Sequence, residues 1–213
     1  MKKNIFLIGF MGSGKSHWGH IWALEEGYSF YDLDTEIENA FELPVEQIFE
    51  KHGEEKFREM ERYHLRKFEN SKKSLVACGG GAPCFFDNMD WMKQNGTVIY
   101  LRATPDYILE RVMDETEKRP LLKKVNKSEL LFFIQQKLKE REPVYLKADY
   151  ILEVEKLQKN SLEFLKKPKE ENHFEKKLEP GSNDLVNKVK VKGAKGGEFQ
   201  KSSVPKKNKH LQK

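Results

Sequence analysis

The feature that most constrains this chain lies near its start, at residues 9–16. The sequence there is Gly-Phe-Met-Gly-Ser-Gly-Lys-Ser, which has the form G-x-x-x-x-G-K-[ST] of a phosphate-binding P-loop. An apolar run at residues 5–8 precedes it, and a segment with apolar residues at helical spacing, 17–24, follows it. Strand, glycine loop and helix therefore stand in the order that the motif requires.

The residue types of this loop suit the binding of phosphate groups. A turn of glycines lets successive backbone N–H groups point at phosphate oxygens, and the helix that follows adds its positive N-terminal dipole. Lys15 is then placed to reach the β- and γ-phosphates of a nucleotide, and the Ser16 hydroxyl to bind Mg²⁺. We expect the nucleotide to be held by Gly12, Ser13, Gly14, Lys15 and Ser16.

Beyond the loop, short β-rich runs alternate with longer stretches of helical pattern. The runs span residues 5–8, 28–31, 75–78, 98–101 and 150–154, and the main helical patterns span 36–49, 54–68, 105–113, 128–142 and 157–166. This alternation predicts an α/β protein in three αβα layers, with helices on both faces of a parallel sheet. Ligands of such sheets bind outside the carboxyl ends of the strands, which is where the glycine loop falls.

The charge of the chain is unevenly distributed along its 213 residues. The formal net charge is +5, but residues 169–213 alone hold 12 Lys and 6 Asp or Glu, a net charge of +6. This stretch is polar, and its scattered apolar residues cannot offset the entropy of ordering the backbone. We expect one domain over residues 1–168 and a Lys-rich, mostly disordered tail over 169–213, with weak, salt-dependent attraction to polyanions.

Cysteine content and hydropathy indicate the cellular compartment in which this chain is expected. The two cysteines, Cys78 and Cys84, are too few for a disulfide scaffold and lack the paired spacing of a metal site. No segment approaches the roughly 20 apolar residues of a membrane span. Glycines and Lys15 interrupt the apolar start of the chain too early for a secretory signal. We expect reduced thiols and a cytoplasmic monomer that makes no membrane contact.

A pair of aspartates marks the end of the second predicted strand. Asp32 and Asp34 are two residues apart, so in a strand both side chains point to the same face, beside the glycine loop. One carboxylate can hold Mg²⁺ while the other accepts the hydrogen of a substrate hydroxyl and acts as a base. The pair therefore favours phosphoryl transfer to a hydroxyl group.

Four further motifs follow in order along the chain. They are Gly-Glu-Glu-Lys-Phe-Arg-Glu-Met-Glu at 53–61, Cys-Gly-Gly-Gly at 78–81, Arg-Pro-Leu-Leu at 119–122 and Arg-Glu-Pro-Val-Tyr at 141–145. With the glycine loop and the two aspartates, they make the chain resemble the shikimate kinase family over residues 4–150. The resemblance implies a five-stranded parallel sheet of the P-loop, nucleoside-monophosphate-kinase-like fold. It also implies transfer of the γ-phosphate of ATP to the 3-hydroxyl of shikimate, in aromatic amino acid biosynthesis.

The resemblance assigns roles to single residues as well. It implies that shikimate is bound by Asp34, Arg58, Gly80 and Arg141, that Mg²⁺ is held by Ser16 and Asp32, and that ATP contacts the glycine loop, His17, Arg111 and Arg119. The residues implied in catalysis are Lys15, Asp34 and Arg119, the last carried by a mobile lid at 114–125. His17 stands where the family has Thr or Ser, so its backbone N–H alone is expected to contact the nucleotide.

The two arginines also suit a small anionic substrate on chemical grounds. Guanidinium groups bind a carboxylate through paired, charge-assisted hydrogen bonds. Without the resemblance, each arginine is more simply explained by weak surface ion pairs. The neighbouring carboxylates are Glu54, Glu55, Glu59 and Glu61 around Arg58, and Glu140 and Glu142 beside Arg141.

Two other functions stay open from the sequence. Another small-molecule kinase of the same fold, such as gluconate kinase, shares the glycine loop but does not require Arg58, the triple glycine and Arg141 together. The second is a non-catalytic nucleotide-binding module whose tail contacts polyanions. The presence of Lys15, Ser16, Asp32 and Asp34 argues against a loss of catalysis.

Overall fold

The computed structural model of the chain describes residues 4–113 and 129–166. Within these residues the strands are β1 (Asn4–Ile8), β2 (Ser29–Asp32), β3 (Ser74–Ala77), β4 (Gly96–Arg102) and β5 (Tyr150–Glu153). The helices are α1 (Lys15–Glu26), α2 (Leu33–Phe41), α3 (Val45–Arg66), α4 (Asn88–Asn95), α5 (Pro105–Val112) and α6 (Leu130–Tyr145). Short 3₁₀ turns occupy Ala82–Cys84, Val154–Lys156 and Glu163–Lys166.

The five strands form one parallel sheet in the order β2-β3-β1-β4-β5. This confirms the predicted α/β class and the five-stranded parallel sheet. The register sets Asp32, at the end of β2, level with Ala77 of β3, which in turn is level with Leu7 of β1. The loops that follow these three strands therefore leave the sheet at the same edge.

The core lies on both faces of the central strands. All five residues of β1 and all four of β3 are buried. Because successive side chains of a strand point to opposite faces, this burial requires cover on each side of the sheet. A continuous apolar run such as 5–8 is the sequence pattern of a strand buried in this way.

The single helix predicted at 36–49 is wrong, since the chain breaks between α2 and α3. Glu42 has a positive φ of 53°, and Pro44 is extended with ψ of 152° at the N-terminus of α3. Proline lacks the N–H that a continuing helix would need. The Glu38 carboxylate accepts a hydrogen bond from the Val45 N–H at 2.9 Å. Gly53, with φ of 78°, interrupts α3 a second time.

Two further helix predictions differ from the structure. Helix α4 was not predicted, and it buries Met89 and Met92 while the Asn88 side chain donates to the Ala82 carbonyl at 2.8 Å. The pattern at 157–166 is not a regular helix but turns and a 3₁₀ segment. Leu162 and Phe164 are nevertheless buried there, so the apolar spacing reflects packing rather than helical hydrogen bonding.

Some predictions fall on residues that are not described. Arg119, the lid at 114–125 and the tail at 169–213 all lie outside 4–113 and 129–166. In the part of the chain that is described, no helix is both long enough and apolar enough to cross a membrane.

Candidate active site

A cavity of about 300 Å³ opens at the carboxyl edge of the sheet. Its walls bring together most of the residues that the sequence predicted to act on a nucleotide and a hydroxyl acceptor. They are Gly12, Gly14, Lys15, Ser16, His17, Asp32, Asp34, Gly80 and Arg111, and they are joined by Met11, Cys78 and Gly79. The cavity thus joins the glycine loop, the end of β2 and the triple glycine after β3.

The glycine loop wraps around the Lys15 ammonium group. Lys15 Nζ donates to the carbonyl oxygens of Gly9 and Phe10 at 2.9 and 2.8 Å. Helix α1 begins at Lys15, so the N–H groups of its first turn face the loop. Ser13 is fully buried, and its hydroxyl has no hydrogen-bond partner within the described residues. A cation at the N-terminus of a helix forms a site for an anion, whereas the buried Ser13 does not line the cavity.

Gly12 is in close contact with helix α5. It has φ of 77°, and a Cβ atom there would lie 2.9 Å from Val112 Cγ1 and 3.7 Å from Arg111 Cβ. A side chain at this position would be strained and would push the loop off the helix. The close contact brings Arg111 into the cavity wall, where its guanidinium lies over the Tyr107 ring at 4.3 Å.

Ser16 and Asp32 form the most compact polar pair in the cavity. The Ser16 hydroxyl donates to Asp32 Oδ2 at 2.5 Å. Both groups offer hard oxygen ligands of the kind that Mg²⁺ binds, usually through one or two protein groups together with water and phosphate oxygens. In residues 4–113 and 129–166, no cluster of three or more His, Cys, Asp or Glu could hold a metal. Ser16 and Asp32 therefore offer two oxygen ligands to a cation, which is the number of protein groups that Mg²⁺ usually takes beside phosphate.

Asp34 lines the cavity from a helix and not, as the sequence predicts, from a strand. Strand β2 ends at Asp32, and Asp34 lies in the first turn of helix α2. Asp32 is the N-cap of this helix, and its carboxylate accepts a hydrogen bond from the Asp34 N–H at 3.1 Å. The alternation of strand side chains is thus the wrong reason for the predicted proximity, although both carboxylates do line the same cavity.

The surroundings of Asp34 make it a better base than an exposed carboxylate. Burial and the neighbouring charge of Asp32 raise the pKa of Asp34 to about 6, although Lys15 and Arg58 act in the opposite direction. A carboxylate with a pKa near the working pH can accept a proton with useful driving force and still be largely ionised.

Arg58 is buried rather than paired on the surface. The residue is 4% exposed, and its guanidinium donates to Glu61 at 2.5 Å and to Glu54 at 2.9 Å. The rings of Phe85, Phe57 and Phe49 surround it, with centroids at 4.6, 5.5 and 5.7 Å. Carboxylates and aromatic faces together compensate the desolvation of this cation and hold it in one orientation.

The triple glycine lies between these charged groups. A Cβ atom at Gly81 would lie 2.6 Å from the guanidinium carbon of Arg58, and one at Gly80 would lie 3.6 Å from Arg141 Nη1. Arg141, which is 6% exposed, also lies near the Phe10 ring at 5.7 Å. The two arginines therefore contact Gly80 and Gly81 directly, and neither forms part of the cavity wall.

Comparison with known proteins shows the family to which this chain belongs. The sequence profile of shikimate kinase matches residues 11–174. The chain belongs to the shikimate kinase family. Members of this family are kinases of the transferase class that bind ATP, so the membership argues against a non-catalytic module and favours shikimate over gluconate as the acceptor.

Several shikimate kinases are similar to this chain in sequence. The enzyme of Parabacteroides distasonis is 42% identical over 155 residues, which cover 73% of this chain and 90% of the other. The enzyme of Phocaeicola vulgatus is 40% identical, covering 72% and 88% of the two chains.

Solved shikimate kinase structures also share the fold. The crystal structure from Bacteroides thetaiotaomicron has a TM-score of 0.72 and 36% identity, and covers 77% of this chain and 98% of the other. The kinase of Acinetobacter baumannii in complex with shikimate has a TM-score of 0.67 and 36% identity, over 71% and 83% of the chains.

Glu61 is a buried residue beside this site whose place the sequence analysis did not predict. The sequence groups it with the surface carboxylates around Arg58, but it is 1% exposed. Its Oε1 atom has no hydrogen-bond partner within residues 4–113 and 129–166, and burial raises the pKa of Glu61 to about 7 despite Arg58. Its spacing from Arg58 and Leu65, three and four residues along α3, puts it on the buried helix face and could have revealed it.

Proposed function

We propose that this protein transfers the γ-phosphoryl group of ATP to the 3-hydroxyl of shikimate, with Mg²⁺, giving ADP and shikimate 3-phosphate. The observation that carries the proposal is the cavity in which the glycine loop, the Ser16–Asp32 pair and Asp34 meet beside the triple glycine. Family membership and the shikimate complex of the similar Acinetobacter kinase support this choice of acceptor. The product belongs to the biosynthesis of chorismate and aromatic amino acids.

On the nucleotide side, the glycine loop and Lys15 bind the β- and γ-phosphates of ATP. Ser16 and Asp32 would hold Mg²⁺, which would supply positive charge to the phosphate groups. Arg111 lies against adenine, and its place in the cavity wall supports that role. Arg119, which lies outside the described residues, contacts ATP from the lid segment and stabilises the charge that develops during transfer.

On the acceptor side, Arg58 and Arg141 bind the carboxylate of shikimate with paired hydrogen bonds. Gly80 lets the substrate approach the backbone closely, and Asp34 accepts the proton of the 3-hydroxyl as its oxygen bonds to the γ-phosphorus. The bond from that phosphorus to the β–γ bridging oxygen breaks and ADP leaves, so no phosphoenzyme is formed. The rate enhancement comes from positioning and charge neutralisation.

A coupled assay of ADP release tests this proposal. With ATP and Mg²⁺ present, release should depend on shikimate and should not be supported by gluconate or by buffer alone. Lys15→Met should lower the rate about 100- to 1,000-fold, because it removes a preorganised charge at a site of developing negative charge. Preference for gluconate, or near-normal turnover by a folded Lys15→Met variant, would contradict the proposal.

A further inference from the structure

One buried hydroxyl lies beside two residues proposed to bind shikimate. Tyr145 is fully buried, and its hydroxyl donates to the Gly80 carbonyl at 2.5 Å. The Arg141 guanidinium lies beside the same glycine, since a Cβ atom at Gly80 would lie 3.6 Å from Arg141 Nη1. A guanidinium group can only donate, and the Tyr145 oxygen, whose hydrogen goes to Gly80, keeps its lone pairs for such a donor.

The position of Tyr145 in the chain explains why it can make both contacts. It is the last residue of α6 and lies four residues after Arg141, so both side chains are on the same helix face. The chain is anchored directly beyond it, since the Asp149 N–H donates to the Val98 carbonyl at 2.9 Å and the Asp149 carboxylate accepts from the Val98 N–H at 2.9 Å. The end of α6 is therefore fixed to β4.

The Gly80 carbonyl lies at a crowded point of the site. A Cβ atom at Gly80 would lie 3.3 Å from the Met11 nitrogen and 3.4 Å from the Gly9 oxygen, so the triple glycine runs directly along the glycine loop. A peptide unit is planar, and a hydrogen bond to the Gly80 oxygen therefore also fixes the orientation of the Gly81 N–H. Gly81 in turn lies against the Arg58 guanidinium.

We infer that Tyr145 is a positioning residue of the acid-binding site, and that its hydroxyl holds the Arg141 guanidinium and the triple glycine in the geometry that binds the carboxylate of shikimate. This role rests on the proposed function. Tyr145 acts only through Arg141 and Gly80, so its loss should weaken the binding of the acid and spare that of ATP. Burial raises the pKa of Tyr145 above its ordinary value, so the hydroxyl keeps the hydrogen that it donates.

The neighbouring Tyr100 provides a matched control. Its ring is also fully buried and lies 5.0 Å from the Tyr145 ring. Its hydroxyl has no hydrogen-bond partner in the part of the chain that the structure describes. Tyr100→Phe and Tyr145→Phe therefore make the same chemical change at adjacent buried rings, and the second alone breaks the contacts with Arg141 and Gly80.

Steady-state kinetics of the full chain tests the inference. Tyr145→Phe should raise the KM for shikimate about tenfold, as expected when a buried hydrogen-bond partner is lost, and leave the KM for ATP within about twofold. Tyr100→Phe should leave both constants within about twofold of the unaltered protein. Calorimetric titration with shikimate should show the same tenfold loss for Tyr145→Phe, which separates binding from turnover.

A double variant tests whether the effect runs through Arg141. In an Arg141→Lys background, Tyr145→Phe should add little further loss, because residues that act as a unit are not additive. The inference is overturned if Tyr145→Phe leaves the KM for shikimate unchanged, raises both KM values equally, or matches Tyr100→Phe. Failure of the unaltered protein to release ADP with shikimate would instead contradict the proposed function on which the inference rests.

Discussion

At the scale of single residues, the site is distinguished by two carboxylates that lie beside one glycine, with Glu61 buried and Asp34 lining the cavity. A Cβ atom at Gly79 would lie 2.5 Å from Glu61 Oε1 and 2.7 Å from Asp34 Oδ1. Burial raises the pKa of both carboxylates, and the neighbouring charge adds to this: Asp34 raises the pKa of Glu61, and Asp32 raises that of Asp34. Their partners differ, since Glu61 is bonded to Arg58 while Asp34 faces the cavity with Asp32.

The pKa of Asp34 leads to a prediction about activity. The proposed base must be ionised to accept the hydroxyl proton, so kcat/KM for shikimate should fall as the pH is lowered through about 6. A pH profile of the purified enzyme from 5 to 8 measures this. Asp34→Asn should lower kcat about 100- to 10,000-fold at every pH, in keeping with the loss of a general base. A profile that stays flat down to pH 5 would contradict the role of Asp34.

The pKa of Glu61 leads to a prediction about stability. Its value in the folded protein, about 7, exceeds the ordinary value of 4.5, so the folded state binds this proton more tightly than the unfolded chain does. The free energy of unfolding should therefore decrease as the pH rises from about 4.5 to 7, by about 2–3 kcal/mol from this group. Urea unfolding of the ligand-free protein across this range measures the slope.

Two variants test whether Glu61 causes the pH dependence of the free energy of unfolding. Glu61→Gln should flatten it, because the amide does not titrate. Glu54→Gln is the control, since Glu54 contacts the same guanidinium but its side chain is 46% exposed, so that water replaces most of the interaction. An equal pH slope in the unaltered protein and in Glu61→Gln would show that Glu61 is not responsible.

At the scale of elements, the strands and helices that could be predicted are those determined by the local sequence. The run at 5–8 is a buried parallel strand, and such strands are continuously apolar. The break between α2 and α3 was missed because apolar spacing continues across it, although Pro44 was a sufficient signal to end a helix. Glu61 is buried because of tertiary contacts with Arg58 and Gly79. Its residue type and its charged sequence neighbours alone predict a surface position.

The contact between the glycine loop and α5 leads to a prediction at this scale. Gly12→Ala should raise the KM for ATP and lower the melting temperature, because the new methyl group meets Val112 and φ is positive. Val112→Ala in the same protein should restore part of both losses, since it removes the steric contact but not the backbone strain. Kinetics and thermal melting of the two variants measure this. If Val112→Ala restored the KM for ATP and the melting temperature completely, or not at all, the losses could not be divided between a steric contact and backbone strain.

At the scale of the whole molecule, we expect the basic tail to be dispensable for the activity of the residues before it. Apart from the tail's proposed attraction to polyanions, every residue with an assigned role lies at or before Tyr145. The described chain continues to Lys166 and buries Leu162 and Phe164, with the Phe164 ring 4.6 Å from that of Tyr150. The family match ends at residue 174, so most of the Lys-rich stretch lies outside it.

Truncation separates these two parts. A chain ending at Pro168 should keep its activity and melting temperature and should lose retention on heparin at low salt, because the net charge of +6 has been removed. A chain ending at Ser161 should melt at least about 5 °C lower, because it also loses Leu162 and Phe164. A large loss of activity or stability in the longer of the two would show that the tail packs on the kinase residues.

Phosphorylation of shikimate at one particular hydroxyl distinguishes the proposed activity from other phosphoryl transfers. The most direct test is nuclear magnetic resonance of the product formed from shikimate, ATP and Mg²⁺, because coupling between phosphorus and the ring protons identifies the phosphorylated oxygen. We expect shikimate 3-phosphate in an amount equal to the ADP released. Inorganic phosphate in place of a phosphorylated acid, or a phosphate on another hydroxyl, would contradict the proposed activity.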